Sequence, residues 1–166
     1  LREVPVSVDT RRPEVMQAAL AAGASMINDI EALGAPGAME AVAKSGGGSC
    51  LMHMQGEPGT MQADPRYGDV VREVKEFLAR RIAACEKAGI ARDRMVADPG
   101  FGFGKTAEHN LTLLKHLPEF AGLGVPILAG WSRKSSLGRI TGRETGERLA
   151  GGLAAALLAL LGGARI

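Results

Sequence analysis

Val4-Pro-Val-Ser-Val-Asp9 is a short apolar run that ends on a carboxylate, and four more segments of the same design follow it. They are Ser25–Ile30 (SMINDI), Cys50–Gln55 (CLMHMQ), Met95–Asp98 (MVAD) and Pro126–Lys134 (PILAGWSRK). Each reads as a strand that closes in polar residues. Helical patterns fill the gaps. Pro13 suits a first helical turn, and Gly23 the residue just past that helix's end. Asp69 to Ala88 carries Val70, Val71, Val74, Phe77, Leu78 and Ile82 at helical spacing, with Glu76 and Arg80 as an i,i+4 pair, and Gly89 stops it. Thr106 to His116 and Thr145 to Leu161 read as two further helices. Strands that alternate with helices make a parallel α/β sheet.

The spacing of the strand ends chooses between two such sheets. From Asp9 to Ser132 is 123 residues over four repeats, about 31 per βα unit, and an eight-unit (β/α) barrel of ~250 residues also has about 31. The expected fold is α/β, an incomplete TIM-type (β/α)8 barrel with about five βα units present. Leu1 starts almost directly in a strand, and Ala164-Arg165-Ile166 stops where another strand is due. The alternative that 166 residues also fit is a complete five-stranded flavodoxin-like sheet. The polar strand ends favour the barrel, whose active-site rim is built from such ends. No internal repeat or low-complexity linker divides the chain, and Gly46-Gly47-Gly48 reads as a flexible helix-to-strand loop. Residues 1–166 are expected to form a single domain, truncated at both ends.

Composition narrows the function classes. Lys plus Arg number 20 and Asp plus Glu 18, a net charge of +2 that excludes an acidic tail and a polycationic nucleic-acid binder. Hydrophobic residues at 46% and charged residues at 23% suit a folded chain rather than a disordered one. The 23 glycines are about twice the average share, and aromatics are only 4%, so the core must come from Ala, Leu, Val, Ile and Met. Cys50 and Cys85 lie 35 positions apart with no CxxC, which argues against a disulfide framework and for a reducing cytoplasm. The N-terminus lacks signal-peptide shape. The longest uncharged stretch, Leu149 to Ala164, is 16 residues with four glycines, short of the ~20 that a membrane helix needs.

In a parallel sheet, functional groups gather at the C-terminal strand ends. The candidates there are Asp9, Asn28 with Asp29, His53 with Gln55, Asp98, and Ser132, Arg133 and Lys134. One polar residue at a strand end is usually a cap; five ends carrying such groups together point to a site. The set holds carboxylates, an amide and an ammonium without a Ser-His-Asp trio, which favours recognition of a polar heterocycle with charge stabilisation over covalent catalysis. Asp98-Pro-Gly-Phe-Gly-Phe-Gly-Lys-Thr106 fails as a phosphate loop, because Pro99 stands where GxxxxGK[ST] needs glycine. It also fails as a dinucleotide loop, since 120–138 holds no acid. Its glycines fit a backbone passing close to a flat ligand. His109 and His116 lie seven apart on a helix, about 10 Å along its axis, and cannot share an ion. His53, inside an apolar run, reads as a hydrogen-bonded core residue. Ser132-Arg133-Lys134-Ser135 lies at a helix start, a natural seat for an anion. From Arg133 to Arg148 five basic residues outnumber two acids.

These motifs carry a resemblance. Ser7-Val-Asp-Thr10, Ile27-Asn-Asp-Ile30, Leu51-Met-His-Met-Gln-Gly56 with Gly59-Thr-Met-Gln62, Asp98-Pro-Gly-Phe-Gly-Phe-Gly-Lys105 and Ser132-Arg-Lys-Ser135 follow one another in the order seen in the dihydropteroate synthase family. The chain resembles that family over essentially all 166 residues. The resemblance implies condensation of 6-hydroxymethyl-7,8-dihydropterin diphosphate with p-aminobenzoate to give dihydropteroate and pyrophosphate in folate biosynthesis. Carried over by motif, Asp98 and Asn28 would bond the pterin's amino-pyrimidine edge, a task suited to a carboxylate that accepts two parallel N–H groups. Lys134 would reach the pterin's carbonyl and ring-nitrogen side. Asp9 would face the ring and stabilise the cation left as pyrophosphate departs. Asp9, Asp98 and Lys134 are thus the implied catalytic residues. Met52, Gly102 and Gly130 complete the substrate surface, and Phe103, Arg133 and Ser135 would border the aminobenzoate, where sulfonamides would compete.

The family also implies Mg²⁺, with its protein ligand on a strand before Leu1, and an Arg-x-His pyrophosphate grip after Ile166. No metal ligand is expected within these residues, and the 166 residues alone are expected not to turn over. A homodimer is implied as well, and the leucines spread round 149–161 agree, since an outer barrel helix should carry a polar stripe. Two other readings compete. One is the pterin-binding domain of a methyltetrahydrofolate methyltransferase, against which the Ser-Arg-Lys motif stands. The other is a non-enzymatic receiver module, which needs an acidic pair where VPVSVD offers one acid.

Overall fold

The computed structural model describes residues 4–166. Four parallel strands, β1 (Ser7–Asp9), β2 (Met26–Asp29), β3 (Gly48–Met52) and β4 (Met95–Asp98), lie side by side in chain order. That order decides the architecture. A flavodoxin-like or receiver sheet places its second strand outside the first, whereas a barrel wall adds each strand beside the last. The chain is an incomplete (β/α)8 barrel. Its wall continues through Ile127, which bridges Ala97 in parallel, and the Arg165 and Ile166 N–H groups donate in turn to the Ile127 carbonyl.

The fifth run is a shorter strand than its sequence promises. The Leu128 and Ala129 N–H groups still donate to the Ala97 and Ile166 carbonyls, but beyond Ala129 the Pro126–Lys134 segment leaves the ladder, and Arg133 turns at φ +55°. The N-terminal strand also begins later than expected, at Ser7 rather than Val4, with the Val6 carbonyl accepting the Ser25 and Met26 N–H groups at its edge.

Helices α1 (Pro13–Ala21), α2 (Ala38–Ser45), α3 (Val70–Lys87) and α4 (Ala107–Lys115) separate the strands, followed by α5 (Ser135–Thr141) and α6 (Leu149–Leu161). Their starts follow the local chemistry: Pro13 opens α1, the Asp69 carboxylate accepts the Arg72 N–H, and Thr106 and His109 form a reciprocal cap. The helix expected from Thr145 is two pieces, because Thr145–Glu147 is a 3-10 turn closed by Glu144 and Glu147 before α6 begins. Glu76 and Arg80 lie exposed on α3 and, among the described residues, form no ion pair. Gly46-Gly47-Gly48 is not a loose loop: Arg94 Nε donates to the Gly47 carbonyl at 2.9 Å and Gly48 joins β3.

Register sorts the strand residues onto two faces. Val8, Ile27, Ser49 and Met95 form one row, and with Leu51 and Ala97 they turn toward the helices, where Ile27, Leu51 and Ala97 are fully buried. Asp9, Asn28, Cys50 and Val96 form the opposite row, and Met52 pairs with Asp98 one step above it. This second face is the inner one, and its rim carries the chemistry. Cys50 and Cys85 are both free and buried. Among the described residues no helix is long and apolar enough to cross a membrane.

Candidate active site

Parity along β2 separates two neighbouring candidates. Asn28 points to the inner face and Asp29 to the helices. Asp29 is fully buried, and its carboxylate accepts the Glu31 N–H at 2.9 Å and the Leu33 N–H at 2.8 Å. It fixes a turn in which Ala32 and Leu33 adopt positive φ, while Arg81 donates to both of their carbonyls. Asp29 belongs to the fold.

Asn28 donates through Nδ2 to Asp9 Oδ2 at 3.1 Å. Its Oδ1 is buried and has no partner. A buried acceptor left unpaired costs about 1–3 kcal/mol, a cost that a ligand donor would relieve.

Asp98 ends β4 one register step above that row and is 6% exposed. Its Oδ1 accepts the Gly100 N–H at 2.7 Å, which leaves most of the carboxylate's acceptor capacity open. Burial raises its pKa to about 6, against the lowering effects of the Gly100 N–H, Lys134 and Lys105. Lys134, half-buried, has its pKa lowered by burial, with Asp98 opposing. Its ammonium sits 4.2 Å over the Phe103 ring, a cation–π contact, and its stem passes so close to Gly102 that a Cβ there would lie 3.2 Å from it.

The loop after β4 is shaped by glycine. Gly100, Gly102 and Gly104 all have positive φ, and a Cβ on Gly100 would lie 1.9 Å from the His53 carbonyl oxygen. The loop after β3 clasps it: Tyr67 donates to the Gly104 carbonyl at 2.8 Å, and Gln62 donates to the Gly102 carbonyl. Below, fully buried Asn110 accepts the Gly102 N–H and donates to Ser136 Oγ.

The structure therefore gathers Asp9, Asn28, Met52, Asp98, Gly102, Phe103 and Lys134 around one rim. Gly130 follows the Ile127 strand and is half-buried, with open space where a Cβ would stand. Arg133 and Ser135 flank Lys134 but line different cavities. Ser135 joins Gln62, Lys105, Thr106 and Arg139 around about 310 Å³, whereas Arg133 joins Trp131, Arg148 and Leu153 around about 380 Å³. His53 packs edge-on against Phe77, its pKa lowered to about 3 by burial and then by Lys105, so the ring is neutral. His109 caps α4, and His116 pairs with Glu119 at 2.8 Å.

Lys105 is the residue that sequence reading passed over. It is 3% exposed and sits among acceptors from both loops. The available signal was a lysine closing a glycine-alternating run beside a strand-end histidine.

The family model described as "Pterin binding enzyme" matches residues 1–166. The chain belongs to the pterin-binding enzyme family. It is 50% identical to the dihydropteroate synthase of Escherichia coli K12 over 164 residues, 99% of this chain and 58% of that protein. The crystal structure of dihydropteroate synthase from Stenotrophomonas maltophilia superposes with a TM-score of 0.96 at 58% identity, covering 98% of this chain and 62% of the other. The Xanthomonas albilineans enzyme in complex with 7,8-dihydropteroate gives 0.91 at 54% identity, covering 97% and 59%. The chain thus spans somewhat under two thirds of the length of these relatives.

Proposed function

We propose that this family member works as a dihydropteroate synthase and that its inner rim is the pterin floor. The observation that carries the reading is the pair of open acceptors on one face, the unpaired buried Oδ1 of Asn28 and the free lone pairs of ionised Asp98. An amino-pyrimidine edge offers the matching donors. Asp98 accepts two parallel N–H groups from that edge and Asn28 a further one, while Lys134 donates to the carbonyl and ring nitrogen on the other side. Met52 and Gly102 bound the flat ring, and Gly130 leaves room at its margin.

The reaction breaks the bond between the pterin's exocyclic carbon and the diphosphate oxygen. The aminobenzoate nitrogen attacks that carbon and then loses a proton, and pyrophosphate leaves. Asp9, exposed at the end of β1, faces the carbon as positive charge develops and stabilises it electrostatically. Phe103, Arg133 and Ser135 border the aminobenzoate, and sulfonamides compete there. The X. albilineans relative solved with 7,8-dihydropteroate supports the product assignment.

Mg²⁺ is the ion implied by the resemblance. Among the described residues no group of three or more His, Cys, Asp or Glu side chains converges, so these residues do not by themselves fit a site for it. The reading also includes a single domain over 1–166, a cytoplasmic setting, and a homodimer that covers the exposed leucines of α6.

The test is a coupled pyrophosphate-release assay on the protein as its gene encodes it, with dihydropterin diphosphate and p-aminobenzoate. Equal amounts of dihydropteroate and pyrophosphate are expected. Absence of both pterin binding and product overturns the reading.

A further inference from the structure

The buried ammonium of Lys105 stands where the loops after β3 and β4 meet. Its Nζ lies 3.0 Å from the Gly100 carbonyl oxygen, 3.0 Å from that of Phe103 and 3.3 Å from that of His53, and 3.0 Å from His53 Nδ1. Four acceptors surround three N–H donors. The carbonyls belong to the residues that set the site. Gly100 gives its N–H to Asp98, and Phe103 lies under Lys134. His53 gives its N–H to the Asp98 carbonyl at 3.0 Å. The neutral His53 ring leaves Nδ1 free to accept and is held by Phe77 and Tyr67.

We propose that Lys105 is a positioning residue for this site: it ties the two loops together at the height of the pterin floor and adds its charge to that of Lys134 beside Asp98. The proposal rests on the pterin reading above. The titratable groups coupled to Asp98 are Lys134 from the segment after Ile127, Lys105 from its own loop and Cys50 of β3, on which Asp9 of β1 also acts, while His53 meets Asp98 through its backbone N–H. The two lysines alone are cationic, since His53 is neutral and burial holds the Cys50 thiol protonated. Burial also lowers the Lys105 pKa to about 7, with Asp98 opposing. Near pH 6, where Asp98 titrates, Lys105 therefore carries its charge. Above pH 7 it sheds the proton but keeps two donors for the carbonyls.

Two substitutions separate the tie from the field. Lys105→Gln keeps donors and removes the charge; Lys105→Met removes both. The probe is 6-hydroxymethylpterin, titrated calorimetrically between pH 5 and pH 8.5. Wild-type affinity is expected to fall as pH drops through about 6. In Lys105→Gln that midpoint moves up by half a pH unit or more, while affinity at pH 8.5 stays within about threefold. Lys105→Met loses tenfold or more at every pH.

A ligand-free measurement keeps the proposal apart from the pterin reading. The Asp98 carboxyl ¹³C resonance in the unliganded protein should titrate at higher pH in Lys105→Gln, whether or not pterin binds. An unshifted Asp98 titration in a folded Lys105→Gln protein overturns the field. Wild-type affinity in Lys105→Met overturns the tie. A wild type that ignores the pterin, with Asp98 still shifted in Lys105→Gln, rejects the ligand assignment and leaves the electrostatic role standing.

Discussion

Asp98→Asn separates what this residue costs the fold from what it gives the site. Burial raises the carboxyl from its ordinary 3.8 to about 6 in the folded chain. A group whose folded pKa lies above its unfolded value contributes stability that is fully present below the unfolded pKa and lost as pH rises through the folded one. The gap is about two units, and at ~1.4 kcal/mol per unit, ionised Asp98 costs the folded state about 3 kcal/mol above pH 7. Asparagine has the shape of the protonated acid, and its Oδ1 can still accept from Gly100. The variant is therefore expected to match the wild type at pH 4 and to exceed it by up to about 3 kcal/mol at pH 7.5. Lys105 does not cancel the gain, because with a pKa of about 7 it is largely neutral at pH 7.5.

Urea unfolding followed by circular dichroism at pH 4, 6 and 7.5 reads the stability difference. Calorimetry reads the opposite effect on the site. Two charge-assisted hydrogen bonds to the pterin contribute ~1.5–3 kcal/mol each, so affinity should fall at least a hundredfold. A variant that is no more stable at pH 7.5 than the wild type refutes the burial cost. Near-normal pterin affinity refutes the assignment of Asp98 to the amino-pyrimidine edge.

Gly100→Ala places a Cβ 1.9 Å from the His53 carbonyl at φ +70°; a loss of about 3 kcal/mol or more is expected, and a thermal midpoint within 2 °C of wild type would contradict it. Asp29→Ala strands the Glu31 and Leu33 N–H groups and should cost about 2–4 kcal/mol. Pterin affinity per folded molecule should stay unchanged, and a selective loss of affinity would mean Asp29 belongs to the site after all. Leu153 and Leu157 are 64% and 56% exposed on α6. Their double replacement by Lys should convert a dimer to a monomer in sedimentation at micromolar concentration, and a wild type that is already monomeric sinks the dimer.

How far the sequence carried each inference depended on the range of the interactions involved. Helix starts were legible because their signals are local: Pro13, Asp69 and Thr106 each act within one turn. The barrel was legible from the mean spacing, about 31 residues per βα unit, although the strand ends at Asp9, Asp29, Met52 and Asp98 are unevenly spread. Pro126–Lys134 misled because its apolar residues serve two tasks. Ile127 pairs with β4, while Trp131 leaves the ladder to pack at a tilt against Phe101, 4.5 Å between ring centres. Lys105 was hidden for the same reason. A lysine in a glycine loop reads as a solvated charge, and only the meeting of residues 53 and 100–103 in space supplies its acceptors.

Asn28 and Asp29 show why register, more than residue type, separates fold from function here. Both are polar, both end β2, and neither is distinguishable from the other by composition. Alternation sends Asp29 to the helix side, where two N–H groups satisfy it, and Asn28 to the inner side, where one oxygen goes unsatisfied. The same parity places Asp98 on the inner face with a raised pKa, and the loop above it buries Lys105 with a lowered one. The fold's electrostatic debts therefore concentrate on one rim, while the outer face holds Ile27, Leu51 and Ala97 fully buried. Ser49 Oγ, on the helix side, and Trp131 Nε1 are also buried without a partner, so an unpaired atom alone does not mark a site. What marks this one is the convergence of an orphan acceptor, a carboxylate held ionised against its burial, and two lysines within range of it. A heterocycle with donors on one edge and acceptors on the other answers all of these together.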